Sequence, residues 1–286
     1  MIIDNLIYDF RKELQNLGYS KNVCDYYPKY VRYLLEFTQE NPQNITDIHL
    51  KEYCTYLLQR PKKYGTTSIS QSHAYTQLLA IRLFFDYLQR LQLIVQNPYN
   101  LQLKSVPSQP RTILNQSQIQ TLYKNCQTIE ETILLHLCYG CGLRKSEAKN
   151  LSIKDINFEQ KKLFVRKGKR NKRRVIPLTE KITKDLRKYY NQSQEYRNPK
   201  TTIFLIHYNG YPFSDTRIYL LFKALLKRVQ KQEPLPTICL HALRHSIATH
   251  LLENEMSIEM VRDFLGHKSL NTTQIYARVN HFKMKV

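Results

Sequence analysis

Near its C-terminus the chain contains the stretch His241-Ala242-Leu243-Arg244-His245, followed by Leu265-Gly266-His267 and, nine residues further on, by Tyr276. A histidine and an arginine three residues apart share one face of a helix, so His241 and Arg244 can address the same anion. A tyrosine hydroxyl close behind them supplies a nucleophile. This combination predicts attack of a tyrosine oxygen on a phosphodiester, with no metal required.

A second arginine suited to phosphate binding follows two glycines. Gly140 and Gly142 permit a tight turn, and Arg144 then stands near the start of a helix, where the helix dipole favours an anion. Its guanidinium can hold two phosphate oxygens at once. Glu147, three residues on, can orient that guanidinium. Taken alone, the segment also fits an ordinary capped helix with a surface arginine.

A strongly basic segment lies between two strand-like stretches. Residues 161–174 contain nine basic side chains and no acidic one, and residues 162–165 and 174–177 favour strands. The segment predicts a hairpin with a charged tip that enters a groove or straddles phosphates; in isolation, a solvated charge run is the alternative. The candidate DNA-binding residues are Arg166, Lys167, Arg170, Lys172 and Arg173.

The charge of the chain points to a polyanion. The formal net charge is +21, and residues 113–286 carry 31 Lys and Arg against 14 Asp and Glu. Such asymmetry favours a nucleic-acid partner. No run of eighteen apolar residues and no signal-peptide pattern is present, so we expect a cytoplasmic, nucleoid-associated protein without a membrane partner.

The cysteines and histidines do not form a recognisable metal site. Cys138 and Cys141 are two residues apart, but no second pair completes four zinc ligands. His241 and His245 are four residues apart, yet no glutamate completes a metalloprotease pattern. We therefore expect packed, reduced cysteines, no metal and no cofactor.

Hydrophobic periodicity predicts a mainly α chain with a small antiparallel β-sheet. Residues 1–103 form an all-α domain, residues 104–112 a proline-containing linker, and residues 113–286 an α+β domain. Helices are expected over residues 8–17, 31–37, 48–57, 78–94, 116–126, 129–139, 179–190, 214–230, 240–253 and 257–265. Strands are expected over residues 151–153, 162–165 and 174–177.

Five short motifs, in this order along the chain, resemble the tyrosine recombinases of the phage integrase family. They are Gly142-Leu143-Arg144-Lys145-Ser146-Glu147, Gly168-Lys169, His241-Ala242-Leu243-Arg244-His245, Leu265-Gly266-His267 and Thr272-Thr273-Gln274-Ile275-Tyr276. The N-terminal half resembles the SAM-like core-binding domain of the family in size and helical character. The length and two-domain plan are similar to Xer-type recombinases and short integrases of mobile elements.

The resemblance implies a role for each site residue. Arg144 and Arg244 would clamp the scissile phosphate, with His267 as a further donor. His241 would help deprotonate Tyr276, which would form a 3′-phosphotyrosyl bond. Because that bond conserves energy, another DNA end can reverse the step without ATP or a metal.

The resemblance also implies a general acid on the hairpin. Lys169 would protonate the leaving 5′ oxygen. Lys167 is the alternative lysine, and Lys169 is preferred because its distance along the chain to residues 175–178 fits the family hairpin.

Double-stranded DNA is the implied partner, held in a C-shaped clamp of the two domains. Four protomers would act on two DNA sites, and the free protein would be a monomer or weak dimer. A partner recombinase or an accessory DNA-bending protein is a further candidate. Residues 277–286 are a short tail for the helix exchange between protomers that is common in the family.

Two other functions share part of this pattern. A type IB topoisomerase uses the same chemistry to relax a single duplex, and a non-catalytic DNA-binding relative would be expected to lose Tyr276 or an arginine. Within the recombinase class, integration or excision of a mobile element and Xer-type dimer resolution both fit.

Overall fold

The computed structural model of the chain describes residues 2–61, 69–101, 112–166 and 173–266. Its contacts divide the chain into two compact units, Met1–Gln109 and Pro110–Val286. Within those four ranges, no helix is long and apolar enough to cross a membrane. Of the expected linker, only Thr112 lies among the described residues.

The first unit is helical, as the periodicity predicts, although the helix expected over residues 78–94 ends earlier, at Arg90. Its helices are α1 (Ile2–Asn16), α2 (Lys21–Thr38), α3 (Asp47–Gln59) and α4 (Gln71–Arg90). Thr46 and Ser70 cap the starts of α3 and α4, since each side-chain oxygen accepts a hydrogen bond from the amide three residues on. Aliphatic and aromatic side chains from all four helices pack one core.

The second unit begins with α5 (Gln116–Lys124), α6 (Ile129–Leu135) and α7 (Lys145–Lys149). The expected helix over residues 129–139 is only partly correct, because His136–Gly140 form a π-helical turn. The Cys141 amide donates to the carbonyl of His136, five residues back, over 2.8 Å. Such π turns widen a helix locally and are frequent near functional sites.

An antiparallel sheet follows, made of β1 (Ile156–Asn157), β2 (Lys162–Val165) and β3 (Arg174–Pro177) in that order. The expected strands at 162–165 and 174–177 are confirmed. The strand expected over 151–153 is wrong: Ile153–Asp155 form a 3-10 turn. The backbone around it bonds instead to residues 202–204, through the Ile153 amide to the Thr202 carbonyl over 2.8 Å and the Phe204 amide to the Leu151 carbonyl over 2.7 Å.

Four longer helices complete the described part of this unit. They are α8 (Glu180–Ser193), α9 (Asp215–Gln230), α10 (Leu240–Glu253) and α11 (Ile258–Leu265). Gly266 ends α11 in the left-handed conformation, at φ 65°. All four agree with the expected helices to within three residues.

Cys138 and Cys141 are packed in the interior as free thiols, as predicted. Cys138 and Cys141 lie in the apolar core of the second unit, at 0% and 1% exposure. Burial raises the pKa of each thiol to about 12. Both sulfurs are therefore protonated near neutral pH and behave as small apolar groups.

Candidate active site

The glycine turn before Arg144 lies directly against the end of α11. Gly142 has φ 57°, and a Cβ built on it would lie 2.9 Å from Phe264 Cε1 and 3.0 Å from Leu265 Cδ2. Only glycine fits both this backbone conformation and this close approach. The turn places Arg144 at the N-cap of α7.

Glu147 holds Arg144 through two hydrogen bonds. The Arg144 amide donates to Glu147 Oε2 over 2.9 Å, and Arg144 Nη1 donates to Oε1 over 2.7 Å. The Glu147 side chain is 4% exposed, whereas that of Arg144 is 23% exposed. The carboxylate thus supports the arginine from the protein interior and leaves part of the guanidinium accessible to solvent.

Among the described residues, Arg244 is the largest fully buried side chain, at 1% exposure. Its guanidinium donates to the carbonyls of Gly142 and Leu265, and Nη1 lies 3.7 Å from Glu147 Oε2. One side chain on α10 therefore connects the turn before Arg144 with the residue that precedes Gly266. Arg144 and Arg244, which the family resemblance assigns to one phosphate, thus lie beside the same carboxylate.

Arg174 is a third arginine at this carboxylate, and it was not among the site residues predicted from the sequence. Its Nη2 donates to Glu147 Oε2 over 2.8 Å and its Nη1 to Oε1 over 3.2 Å. The signal available in the sequence is strand alternation. Arg174 and Ile176 stand two residues apart on β3 and so share one face of the sheet, and Ile176 is fully buried.

The electrostatics of the cluster follow from these contacts. Burial alone would raise the pKa of Glu147, but the hydrogen bond and charge of Arg174 and then the contacts of Arg144 outweigh it and lower the pKa to about 2. The carboxylate is ionised at neutral pH. Three guanidinium groups around one carboxylate leave an excess of positive charge, which suits a phosphate.

His241 and His245 lie on the first turns of α10, as expected. Their ring centroids are 4.4 Å apart, with the rings nearly perpendicular at 77°. His241 is exposed, whereas Arg244, one helical turn on, is buried. Among the described residues, no group of three or more His, Cys, Asp or Glu side chains could hold a metal.

The candidate DNA-binding residues of the hairpin are only partly described. Arg166 is 60% exposed and pairs with Asp155, with Nε 2.5 Å from Oδ1; Arg173 is exposed. The remaining predicted site residues lie outside the described residues: Lys167, Lys169, Arg170, Lys172, His267 and Tyr276.

The described residues thus form a helical unit and an α+β unit in which three arginines meet one buried carboxylate near the start of α7. The chain matches the phage integrase family over residues 112–282 and the N-terminal SAM-like domain of phage integrases over residues 6–93.

Individual relatives agree with this match. The chain is 30% identical over 257 residues to a tyrosine recombinase of Pseudothermotoga lettingae, covering 87% of this chain and 84% of that protein. It is 29% identical to the tyrosine recombinase XerA of Pyrococcus horikoshii, covering 98% and 90%. The integrase of the Tn1549 transposon, solved with a circular intermediate DNA, has a similar fold, with a TM-score of 0.76 at 20% identity over 97% of this chain and 99% of that one.

The chain therefore belongs to the phage integrase family, the tyrosine recombinases, which are enzymes that cleave and rejoin DNA strands.

Proposed function

We propose that this protein is a site-specific recombinase in which Tyr276 attacks a DNA phosphodiester held by Arg144 and Arg244. The observation that carries the proposal is the convergence of both arginines on the buried carboxylate of Glu147. A pentavalent phosphate gains negative charge as it forms, and prepositioned guanidinium groups stabilise that charge without reorganising.

The two arginines contribute in different ways. Arg144 is partly exposed and anchored from behind, so it can donate to the non-bridging phosphate oxygens. Arg244 is fixed by two carbonyl groups and is nearly inaccessible to solvent. Its charge therefore acts in a medium of low dielectric constant, where it stabilises an anion more strongly than a surface arginine would.

Proton transfer falls to the remaining predicted residues. His241 helps to remove the proton of Tyr276, His267 donates a further hydrogen bond to the phosphate, and Lys169 protonates the leaving 5′ oxygen. The 3′-phosphotyrosyl bond keeps the energy of the broken phosphodiester. A 5′ hydroxyl of a second strand can then restore the backbone with the reverse proton transfers.

Duplex DNA is the partner, and the basic second unit supports this through its excess of Lys and Arg. Residues 1–103 and 113–286 each bind the duplex, and residues 104–112 link them. Four protomers act on two sites, and the free protein is a monomer or weak dimer. The protein works in the cytoplasm, associated with the nucleoid.

Covalent capture tests the proposal. On a duplex nicked near the cleavage position, the unaltered protein should become joined to the 3′ end, because loss of the short nicked fragment prevents religation. Tyr276→Phe should bind the same DNA and give no adduct. An adduct with Tyr276→Phe would show that another residue is the nucleophile.

The same chemistry identifies the DNA site and the biological role. Mapping covalent attachment across genomic DNA should give one short sequence in the chromosome for dimer resolution, or the ends of a mobile element for integration. Attachment without sequence preference would contradict site-specific action and favour DNA relaxation.

A further inference from the structure

We propose that Arg174 is a positioning residue for strand cleavage, which rests on the proposed function. Its guanidinium donates two hydrogen bonds to the carboxylate of Glu147. The charge of Arg174 thereby reduces the neutralisation of Arg144 and Arg244 by that carboxylate. Arg174 acts through these groups and does not itself touch DNA.

The pairing of Arg174 with Glu147 has the geometry of two parallel hydrogen bonds. Nη1 lies 3.2 Å from Oε1 and Nη2 lies 2.8 Å from Oε2. The side chains are 7% and 4% exposed. A buried pair with two bonds restricts the carboxylate to one orientation, which a single-point contact would not do.

Each carboxylate oxygen is shared with Arg174. Oε1 also accepts from Arg144 Nη1 over 2.7 Å, and Oε2 also accepts from the Arg144 amide over 2.9 Å, with Arg244 Nη1 3.7 Å away. If Arg174 were absent, the full charge of Glu147 would fall on Arg144 and Arg244. Arg144 would be drawn inward, and both guanidinium groups would be partly neutralised at the expense of the phosphate.

Arg174 also contacts the segment that leads to His267. A Cβ built on Gly266 would lie 3.1 Å from both Cδ and Nη1 of Arg174. Through Leu265, the residue before this glycine, Arg244 reaches the same place. Arg174 is the first residue of β3 and pairs with Val165 across the hairpin. One side chain therefore connects the hairpin, the Glu147 carboxylate and the end of α11.

The burial of Arg174 distinguishes this residue from an arginine that contacts DNA. At 7% exposure its guanidinium has both Nη atoms on Glu147, and its buried Nε has no hydrogen-bond partner among the described residues. The contribution of Arg174 must therefore pass through Glu147.

A matched pair of variants tests the inference in the full chain. Arg174→Gln removes a guanidinium from a glutamate that is 4% exposed, and Arg228→Gln does the same at Glu131, which is also 4% exposed. At saturating protein on the nicked duplex, Arg174→Gln should slow cleavage about tenfold to a hundredfold. Arg228→Gln should leave the rate within about twofold, and both should keep their DNA affinity within about threefold.

A double-mutant cycle distinguishes positioning from general destabilisation. If Arg174 acts through the clamp, Arg174→Gln should cost far less in cleavage rate when Arg144 is already Ala. Arg174→Lys, which keeps the charge but not the two-bond geometry, should recover only part of the rate. Arg174→Lys also serves as the test variant if a thermal melt of Arg174→Gln shows no unfolding transition.

Cleavage by Arg174→Gln or Arg174→Lys at the rate of the unaltered protein would overturn the inference while leaving the proposed function intact. Additive effects in the cycle, or an equal loss in Arg228→Gln, would also overturn it. Absence of a Tyr276 adduct in the unaltered protein would instead remove the proposed function, and the inference with it.

Discussion

The two units differ in what they bury. In the first unit, aromatic and thiol groups aside, Gln77 is the one polar side chain buried among the described residues. The second unit buries ten: Glu131, His136, Glu147, Asp155, Thr183, Ser193, Arg244, Ser246, Thr249 and His250. Burying a polar or charged group costs free energy unless it is paired. The first unit therefore has the core of a scaffold, whereas the second accepts this cost to hold charged groups in place.

Two buried glutamates of the second unit differ in how many arginines they contact. Among the described residues, Glu131 pairs with one arginine, Arg228, so its charge is balanced. Glu147 meets three, so positive charge remains. We therefore expect the Glu131 pair to contribute to packing only, and the excess positive charge around Glu147 to favour an anionic ligand.

Of the changes considered, removal of the Arg144 side chain should lower the cleavage rate most. Arg144→Ala takes away charge stabilisation at the transition state and should slow single-turnover cleavage by about a thousandfold. Because the side chain is 23% exposed, folding and DNA affinity should change little. Cleavage at an unchanged rate would exclude Arg144 from the clamp.

Acid should weaken the second unit through Glu147. The folded pKa is about 2, below the ordinary 4.5, so its contribution is fully present above about pH 5 and is lost as the pH falls toward 2. The contribution is about 3 kcal/mol. In urea unfolding at pH 7 and pH 3, Glu147→Gln should show a smaller pH dependence than the unaltered chain. Equal pH dependence in both would mean that Glu147 is not held ionised by its arginines.

Gly266 and Gly18 have similar backbone conformations but different surroundings. Alanine variants of the two therefore distinguish the effect of backbone strain from the effect of contact with Arg174. Gly266 has φ 65° and meets Arg174, whereas Gly18 has φ 73° and a Cβ added to it would have nothing within 4 Å. Alanine at either should cost about 1 kcal/mol of stability from the backbone. Only Gly266→Ala should also slow cleavage, by about tenfold, since it displaces Arg174. Equal cleavage rates in the two variants would show that the contact between Gly266 and Arg174 does not affect catalysis.

The smallest effect is expected in the first unit. The Gln77 amide is fully buried and has no hydrogen-bond partner among the described residues. Gln77→Leu should raise the free energy of unfolding by about 1 kcal/mol and leave the cleavage rate unchanged. A loss of cleavage in this variant would contradict the scaffold role of the first core.

The sequence predicted the parts of the site that depend on local spacing. Glu147 follows Arg144 by three residues, and Arg244 follows His241 by three residues, so local helical spacing was enough to identify all three as candidates. Arg174 was missed because its role arises from pairing across the hairpin and from packing beneath Gly266. Its neighbours in space are distant in sequence, and the adjacent basic residues concealed it within a charge run.

Two errors in the predicted fold have the same origin. Residues 151–153 have the composition of a strand, but they form only an isolated antiparallel bridge with residues 202–204 before the 3-10 turn begins. The local sequence pattern does not reveal that distant partner. The π turn at His136–Gly140 likewise depends on packing. Apolar spacing predicts that a helix is present there, and it does not distinguish a bond to the fourth residue back from a bond to the fifth.

The central claim is that the Glu147 carboxylate holds the arginines in position for phosphate chemistry. One comparison tests this claim most directly. The measurement is the single-turnover cleavage rate of Glu147→Gln against Glu131→Gln on the nicked duplex, with protein saturating. Glu147→Gln should be slower by at least about tenfold, with Glu131→Gln within about twofold of the unaltered chain. Equal rates for the two variants would contradict the claim.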